Sequence, residues 1–279
     1  MKEQGIDVDI SILEGVPEKN SALIKGTVDA VGHTADAAVI SAASGVDGQV
    51  MFVFDQSWGA DGLVTKNSVN SVADLKGGRV ALEPGFTGHF FFLTLLRDAG
   101  MSPSDVQIVP METGTAGSTF VAGGVDAAET WQPWLGKVTQ LPNAKVLVSS
   151  ADKPGRIIDV LYMNRSVIQQ RHDDVVKLIR AMGKATDWYL NGHKSEGDAI
   201  MAQFWKLSPQ EQADTVSGMR FMTLEANQKF FGTTAAPGPL FDTTKAASEL
   251  WLMSQVIKKP IDAKPLIAFD LISEAVTSK

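Results

Sequence analysis

One stretch of the sequence combines residue types that could hold a small anionic or dipolar group. Thr87, Gly88 and His89 follow the segment 76–82 and a glycine turn, and they begin an apolar segment, 90–99. This order predicts a strand, a loop and a helix, whose start directs backbone N–H groups and the positive end of its dipole at a ligand. We therefore predict that these three residues bind the polar end of a small solute. The alternative is an ordinary turn in which the glycines give tightness and His89 caps the helix.

Asp159 is the second residue whose position points to ligand chemistry. It interrupts an apolar run, Ile157-Ile158-Asp159-Val160-Leu161, that predicts a strand. A charge inside such a strand needs a partner, because burying it alone is costly. A ligand amine is one candidate partner, and Arg156 or Arg165 is another.

The other reactive residue types show no spacing typical of catalysis or metal binding. The four histidines are scattered and form no paired motif. No Gly-Lys-Ser/Thr follows the glycine turn, so the loop is not a P-loop, and Ser57, Ser118 and Ser150 lack the context of a nucleophile elbow. The sequence contains no cysteine, which excludes thiolate metal ligands and cysteine nucleophiles. We predict no metal and no cofactor.

Length and composition describe an ordinary globular protein with room for two cores. The chain has 279 residues, 44% of them hydrophobic and 20% charged, which suits two lobes of about 100–150 residues each. The net charge of −7, without any basic stripe, argues against a nucleic-acid partner. No apolar run approaches the roughly 20 residues that span a bilayer, and the first residues show no secretory-signal pattern.

Strand and helix patterns alternate through the first half of the chain. Apolar residues predict strands at 8–13, 28–31, 50–54, 61–65, 106–109, 125–129, 145–148 and 157–163. The C-terminal third is mainly helical, with amphipathic helices at 173–191 and 245–258 and a loop at 232–244. Strands that alternate with short helices favour an α/β fold with mixed, mostly parallel sheets and helices on both faces.

Several short segments of the sequence, taken in their order and spacing, resemble those of one family. They are Gly-Ile-Asp-Val at 5–8, Lys-Gly-Thr-Val-Asp-Ala at 25–30, Val-Ala-Asp-Leu-Lys-Gly-Gly-Arg-Val at 72–80, Gly-Phe-Thr-Gly-His at 85–89, Gly-Gly-Val-Asp-Ala-Ala at 123–128 and Trp-Gln-Pro-Trp at 131–134. Over most of its length the chain resembles the substrate-binding proteins of ABC importers of the taurine, sulfonate, nitrate and thiamine-precursor type.

The resemblance implies a two-lobed periplasmic-binding-protein-like fold (type II), with two crossing strands and a ligand cleft between the lobes. Lobe one comprises residues 1–63 and 159–279, and lobe two comprises residues 64–158. The family normally begins with a further strand and helix before Gly5, which we expect lobe one to lack here. The resemblance also implies a monomer in the periplasm or otherwise outside the cytoplasm. Its partners are a small-molecule ligand, an ABC permease and the ATPase subunit of that permease.

The family pattern directs several side chains towards this cleft. Trp131 is expected to stack on the apolar part of the ligand, with Phe86 as a weaker case, although a core position explains Trp131 equally well. Trp58 and its neighbour Ser57 lie just before the first crossing strand, and a surface position is the alternative for the tryptophan. The resemblance also places a Thr-x-His motif at 87–89.

Polar residues complete the predicted site. His33 and Thr34 follow a predicted strand at a loop that borders the pocket, although a hydrogen-bonded structural histidine is the more common outcome. The acids expected near the cleft are Asp36, Asp55, Asp61, Glu83, Glu129 and Asp159. Of these we assign Asp36, Asp61 and Asp159 to ligand contact, and we expect some of the six acids to be solvated or to cap helices.

The charge of the ligand stays open at this point. Taurine-type members carry an acid in a strand similar to that of Asp159, which implies a zwitterion held at both ends. The excess of acids equally allows a cation or a urea-like donor such as guanidinium.

Two other functions are weighed against solute binding. The family resembles a pyrimidine synthase of thiamine biosynthesis and a sulfinate-cleaving hydrolase, but both are associated with essential cysteines, which this sequence lacks. The effector-sensing domain of a transcription regulator has a similar fold, but it requires a helix-turn-helix that the sequence does not show. We therefore predict a binding protein and not an enzyme.

Overall fold

The computed structural model describes residues 1–13 and 15–277 and contains two mixed sheets with helices packed on them. The strands are β1 Ala30–Thr34, β2 Gly48–Ser57, β3 Asp61–Lys66, β4 Arg79–Leu82, β5 Gln107–Pro110, β6 Ala127–Trp131, β7 Ala144–Ser149, β8 Ile158–Asn164 and β9 Met219–Phe221. This architecture confirms the predicted α/β class.

The helices vary widely in length. They are α1 Val16–Lys25, α2 Ala35–Ala43, α3 Thr87–Asp98, α4 Thr113–Val121, α5 Trp134–Thr139, α6 Arg165–Gln170, α7 His172–Leu190, α8 Lys194–Trp205, α9 Pro209–Ser217, α10 Leu224–Phe231, α11 Pro239–Met253 and α12 Phe269–Thr277. Within the described ranges, none is both long enough and apolar enough to cross a membrane.

The chain divides into two compact units. Unit 1 comprises Met1–Gln56, Ile158–Gly197 and Phe221–Lys279, and unit 2 comprises Ser57–Ile157 and Asp198–Arg220. Each unit has its own apolar core and one of the two sheets, except that the short strand β9 includes the boundary between Arg220 and Phe221.

The sheet of unit 1 has the strand order β1-β8-β2-β9. Its second strand, β8, runs antiparallel to both neighbours and places Asp159 opposite Thr34 on one side and opposite Asp55 on the other. The core combines buried strand residues such as Phe52 with residues of the covering helices such as Ile272. Unit 1 is therefore held together by packing of C-terminal helices on a sheet that combines two N-terminal strands, β1 and β2, with two later ones, β8 and β9.

The sheet of unit 2 has the strand order β5-β4-β6-β3-β7. On one face Val64, Ala81 and Ala128 pack with Ala116 and Phe120 of α4. Because successive side chains of a strand point to opposite faces, the neighbouring strand positions face the other way, where α3 packs against β3 and β6.

Strand directions correct one detail of the prediction, which was for mostly parallel sheets. The pairings β4–β5 and β4–β6 are parallel, whereas β1–β8, β2–β8, β3–β6 and β3–β7 are antiparallel. In each sheet a strand from elsewhere in the chain separates two strands that run in the same direction: β8 lies between β1 and β2, and β3 lies between β6 and β7. Local alternation of strands and helices carries no signal for such an insertion.

Two element predictions are wrong. Residues 8–13 form no strand, and Ile10 and Ile12 are 72% and 62% exposed, because no other strand of the described chain pairs with them. The predicted loop 232–244 contains the start of α11, since Gly238 is the N-cap and Pro239 is the first helical residue. Proline suits that position because its missing N–H has no partner there in any helix.

Residues 198–220 and 57–63 belong to unit 2, whereas lobe one as predicted from the sequence includes them. The carbonyl of Gly218 accepts the Trp58 N–H at 2.6 Å. A Cβ at position 218 would lie 2.7 Å from the Ala60 nitrogen and 2.8 Å from its Cα. The close approach of these two backbones joins segments far apart in sequence.

Gly218→Ala is expected to lower the melting temperature, because the added methyl group meets backbone atoms of Ala60 that cannot rotate away. Overpacking of this kind costs about 1–3 kcal/mol. Gly32→Ala is the matched control, since position 32 has open space for a Cβ and no left-handed backbone. Thermal unfolding followed by circular dichroism measures both variants, and an unchanged melting temperature for Gly218→Ala would show that this contact does not hold the segment.

Candidate functional site

The loop between β4 and α3 places its residues at the start of a helix. Gly85 has a left-handed φ of 76°, and its N–H donates to Nδ1 of His89 at 3.1 Å. Phe86 is extended and precedes the first helical residue, Thr87. Thr87, Gly88 and His89 are all buried in the first turn of α3. The strand, loop and helix predicted here are confirmed, and the role of these residues in ligand binding stays a prediction.

His89 is held as a neutral imidazole. Since Nδ1 accepts the Gly85 N–H, the ring proton lies on Nε2. Burial lowers the pKa of His89 to about 4, because the charged form loses its hydration. At neutral pH the side chain therefore contributes an uncharged ring.

Glu129 of β6 lies directly against Gly88. Its side chain is 1% exposed, and a Cβ at position 88 would overlap its Oε2. Burial, and secondly the charge of Asp61, raise the pKa of Glu129 well above its usual value. The dipole of α3 favours the ionised form by about 0.3–1 kcal/mol, which is less than the several kcal/mol that desolvation of a carboxylate costs. The balance therefore shifts the Glu129 carboxyl towards its uncharged form.

Acidic and aromatic side chains meet on the face of the sheet that carries α3. The register of β3 and β6 pairs Asp61 with Trp131 and Leu63 with Glu129, so these four side chains share one face. The Trp131 ring meets the Phe86 ring edge to face, with the centroids 5.9 Å apart. The structure thus brings together two predicted aromatic residues, a predicted acid and an acid that was not assigned to the site.

A chain of hydrogen bonds ends at the carboxyl of Asp61. The Gly59 N–H donates to Ser150 Oγ at 2.7 Å, the two serine hydroxyls lie 2.7 Å apart, and Ser57 Oγ donates to Asp61 Oδ2 at 2.5 Å. Because Asp61 uses the hydrogen of Ser57, Ser150 supplies the hydrogen of the middle bond. Although Asp61 keeps part of its surface accessible, burial of its carboxyl raises the pKa to about 6, and the Ser57 bond opposes this shift.

Trp58 stacks with a cation of its own unit. The guanidinium of Arg220 lies over the ring, with Cζ 3.2 Å from the centroid, which is a cation–π contact. One face of Trp58 is therefore covered by Arg220.

The predicted site residues of unit 1 cluster at the end of β1. His33 is buried, and its Nε2 lies 3.0 Å from Ser41 Oγ. Burial, and secondly the charge of Lys19, lower the pKa of His33 to about 3, which fits the alternative of a structural histidine. Thr34 is the N-cap residue of α2, and Asp36 lies buried in the first turn of that helix.

Asp159 lies near a lysine and not near Arg165. Lys19 donates to the carbonyl of Gly32 at 3.0 Å. Burial lowers the pKa of Lys19, and the charge of Asp159 opposes this shift. Nε of Arg165 binds Asp47 at 2.8 Å, so the suggestion of Arg165 as the partner of Asp159 is wrong. Asp159 lies near the start of β8 and Arg165 just beyond its end, about 20 Å away along an extended strand.

Four residues of these clusters are not among the site residues predicted from the sequence: Lys19, Glu129, Ser150 and Arg220. Glu129 carries a readable signal, an acid inside the apolar strand Ala127–Trp131, as Asp159 does in β8. The other three come from separate segments and have no local pattern. In the part of the chain that the structure describes, no group of three or more His, Cys, Asp or Glu side chains could hold a metal ion.

Comparison with known proteins identifies the family. A family model described as NMT1/THI5 like matches residues 1–194, more than half of the 279 residues. The chain belongs to the NMT1/THI5-like family. This membership confirms the resemblance drawn from the sequence segments.

Two relatives illustrate the similarity of this family member to known sequences. A protein of Brucella abortus (strain 2308), named as a binding protein, is 24% identical over 266 residues, which are 94% of this chain and 81% of the relative. The taurine-binding periplasmic protein of Escherichia coli (strain K12) is 26% identical over 180 residues, which are 63% of this chain and 55% of the relative.

Solved structures share the fold of this family member. The periplasmic aliphatic sulphonate binding protein SsuA from Escherichia coli has a TM-score of 0.73 at 18% identity, covering 91% of this chain and 80% of SsuA. The desulfurization enzyme DSZB has a TM-score of 0.60 at 13% identity, covering 89% of this chain and 86% of the enzyme. These likenesses confirm the predicted periplasmic-binding-protein type of fold, which here is shared by a binding protein and an enzyme.

His89 is expected to stay neutral, with its proton on Nε2, from about pH 8 to about pH 5, because its pKa is lowered from 6.5 to about 4. The unfolded chain takes up this proton near pH 6.5, so the stability that His89 contributes is present above that pH and is lost as the pH falls towards 4. Long-range nitrogen–proton NMR measures the tautomer, with His89→Asn to assign the signal. Protonation near pH 6.5 would contradict the burial argument.

Gly88→Ala and Glu129→Ala are expected to destabilise the protein less in combination than the sum of the single variants. The alanine methyl group overlaps the Glu129 carboxyl, and removing that carboxyl gives the methyl group room. Coupling between touching residues amounts to about 0.5–3 kcal/mol. Urea unfolding of the wild type, both single variants and the double variant measures it, and strict additivity would show that the two positions do not touch.

Proposed function

We propose that this family member is the solute-binding component of an ABC importer and binds a small polar organic solute without changing it chemically. The ligand is a taurine- or sulfonate-like zwitterion or anion, or a urea- or guanidinium-like molecule. The names of similar proteins support solute binding, since one is a taurine-binding periplasmic protein and another binds aliphatic sulphonates.

The observation that carries this proposal is the arrangement on one face of the unit 2 sheet. The start of α3, the edge-to-face pair of Phe86 and Trp131, and the carboxyls of Asp61 and Glu129 lie on this face. An aromatic wall with a small number of polar groups is typical of sites for small ligands. We assign the helix start to the polar end of the solute and the two rings to its apolar part.

The other predicted contacts keep the status of predictions. Ser57 acts through Asp61, to which it donates a hydrogen bond, and Trp58 offers the ring face that Arg220 leaves uncovered. On unit 1, the residues assigned to the ligand are His33, Thr34, Asp36 and Asp159.

The proposed role defines the partners and the location. The protein acts as a monomer in the periplasm or otherwise outside the cytoplasm and delivers its solute to a permease powered by a separate ATPase subunit. With a net charge of −7 and no basic stripe, it binds no nucleic acid.

Titration calorimetry with taurine, ethanesulfonate, nitrate, guanidinium, urea and an aminopyrimidine is expected to give one tight, saturable ligand that is recovered unchanged. Trp131→Ala is expected to weaken its binding about tenfold, because an aromatic contact contributes about 0.5–1.5 kcal/mol beyond the area it buries. Trp205→Ala is the control, since Trp205 is 57% exposed on α8.

Two outcomes would contradict the proposal. Consumption of any of these compounds by the protein would favour an enzyme on this scaffold. Binding of none of them, by protein shown to be folded, would remove the support for a solute-binding role of this kind.

A further inference from the structure

The carboxyl of Glu129 is a buried polar group that the fold alone does not explain. Its side chain is 1% exposed in the middle strands of the unit 2 sheet. Oε2 lies against Gly88 at the first turn of α3, and Oε1 accepts no hydrogen bond from the residues that the structure describes. Buried carboxyl oxygens without a partner are rare because each one loses its hydration. A ligand group or a water molecule would satisfy this oxygen.

The surroundings of Glu129 add negative charge and no positive charge. Asp61 lies diagonally across β3 and β6 on the same face, and its charge acts on Glu129. The adjoining elements contribute three titratable groups. They are Asp61 of β3, the neutral His89 of α3, and Glu83, which follows β4 and accepts a hydrogen bond from Thr113. None of the ion pairs within residues 1–13 and 15–277 includes Glu129 or Asp61.

The basic residues of unit 2 nearest in sequence or register are engaged elsewhere. Lys66, at the far end of β3, binds Asp126 at 2.7 Å, and Lys153 binds Asp98 at 2.6 Å. Arg220 stacks on Trp58. None of these three side chains therefore pairs with Glu129 or Asp61.

The same face offers the second element that recognises organic cations. Trp131 lies opposite Asp61 in the β3–β6 register, and Phe86 packs edge to face on Trp131. The faces of aromatic rings attract ammonium and guanidinium groups, most strongly for tryptophan. Two carboxyls and a tryptophan on one face supply both kinds of contact that attract such a group.

We propose that Glu129 and Asp61 bind the positively charged end of the solute, an ammonium or guanidinium group, beside the ring of Trp131. This assignment rests on the proposed function and narrows its ligand to a cation or to a zwitterion whose positive end is held on unit 2. It also changes two assignments. The start of α3, where Glu129 lies against Gly88, meets the positive end of the solute, and the ring of Trp131 contacts that end as well as the apolar part.

Proton linkage supports the assignment and predicts how the affinity for a cation changes with pH. Burial raises the pKa of Glu129 well above its usual value and that of Asp61 to about 6. A bound cation favours the carboxylates, so the Glu129 carboxyl releases its proton to the solvent when the cation binds. The affinity for a cation therefore rises as the pH rises past about 6 and the two carboxyls lose their protons. Affinity for an anion at the same place requires the uncharged acids and rises as the pH falls.

Methylguanidinium, ethanesulfonate and taurine test the proposal as cation, anion and zwitterion of similar size. Methylguanidinium is expected to bind the full chain at least about fivefold more tightly at pH 7.5 than at pH 5.5, because the carboxyls lose their protons more easily as the pH rises. Glu129→Gln, which keeps the shape and removes the charge, is expected to lose tenfold or more of this affinity. The control is Asp126→Asn, which removes an acid beside the other end of β6 that is paired with Lys66.

A measurement on the wild-type protein keeps the test independent of variant folding. Calorimetry of methylguanidinium binding at pH 6, in buffers of different ionisation enthalpy, is expected to show net proton release. Proton uptake, or no proton change, would overturn the proposal.

Failure of this inference differs from failure of the proposed function. If ethanesulfonate or taurine binds wild type and Glu129→Gln equally and methylguanidinium binds neither, the cation site is overturned and solute binding stands. If none of the three binds folded wild-type protein, the cation site is overturned and the wider ligand screen decides the proposed function.

Discussion

The contact between the Glu129 carboxyl and Gly88 is the constraint on which the arrangement of unit 2 depends. Because residue 88 has no side chain, the first turn of α3 comes close enough to β6 to cover an acid completely. That approach fixes the N-terminus of α3 over the sheet. Phe86 then reaches Trp131, and Thr87 and His89 are buried in the same turn. A larger residue at 88 separates the helix from the strand and takes the aromatic pair apart.

Strand insertion is the second feature that builds the site. Asp61 begins β3, which lies between β6 and β7 although the latter two are closer to each other in sequence. This insertion sets Asp61 opposite Trp131 and on the face of Glu129. In unit 1, β8 does the same between β1 and β2 and sets Asp159 between Thr34 and Asp55. In both sheets an acid is therefore brought to its neighbours by a strand that comes from another part of the chain.

The buried titratable groups have opposite effects on stability. The pKa of His33 is lowered to about 3 and that of His89 to about 4, so their contribution is present above pH 6.5 and is lost as the pH falls. The pKa of Asp61 is raised from 3.8 to about 6, so its contribution is present below pH 3.8 and is lost as the pH rises. These slopes oppose each other between about pH 4 and pH 6, and a ligand that ionises the acids shifts the balance.

The sequence by itself determined the α/β class and the family, and it determined the strand, loop and helix around Thr87. Each of these depends on hydrophobic periodicity or on a short local motif. It also showed Asp159 as an acid in an apolar strand and placed Glu129 among the acids expected near the cleft, without assigning Glu129 to the ligand. Tertiary structure alone decided that Lys19 lies near Asp159, that Arg220 covers Trp58, and that Gly88 meets Glu129. These contacts join distant segments through packing of strands inserted from elsewhere, and a local pattern holds no information about which strand will lie beside it.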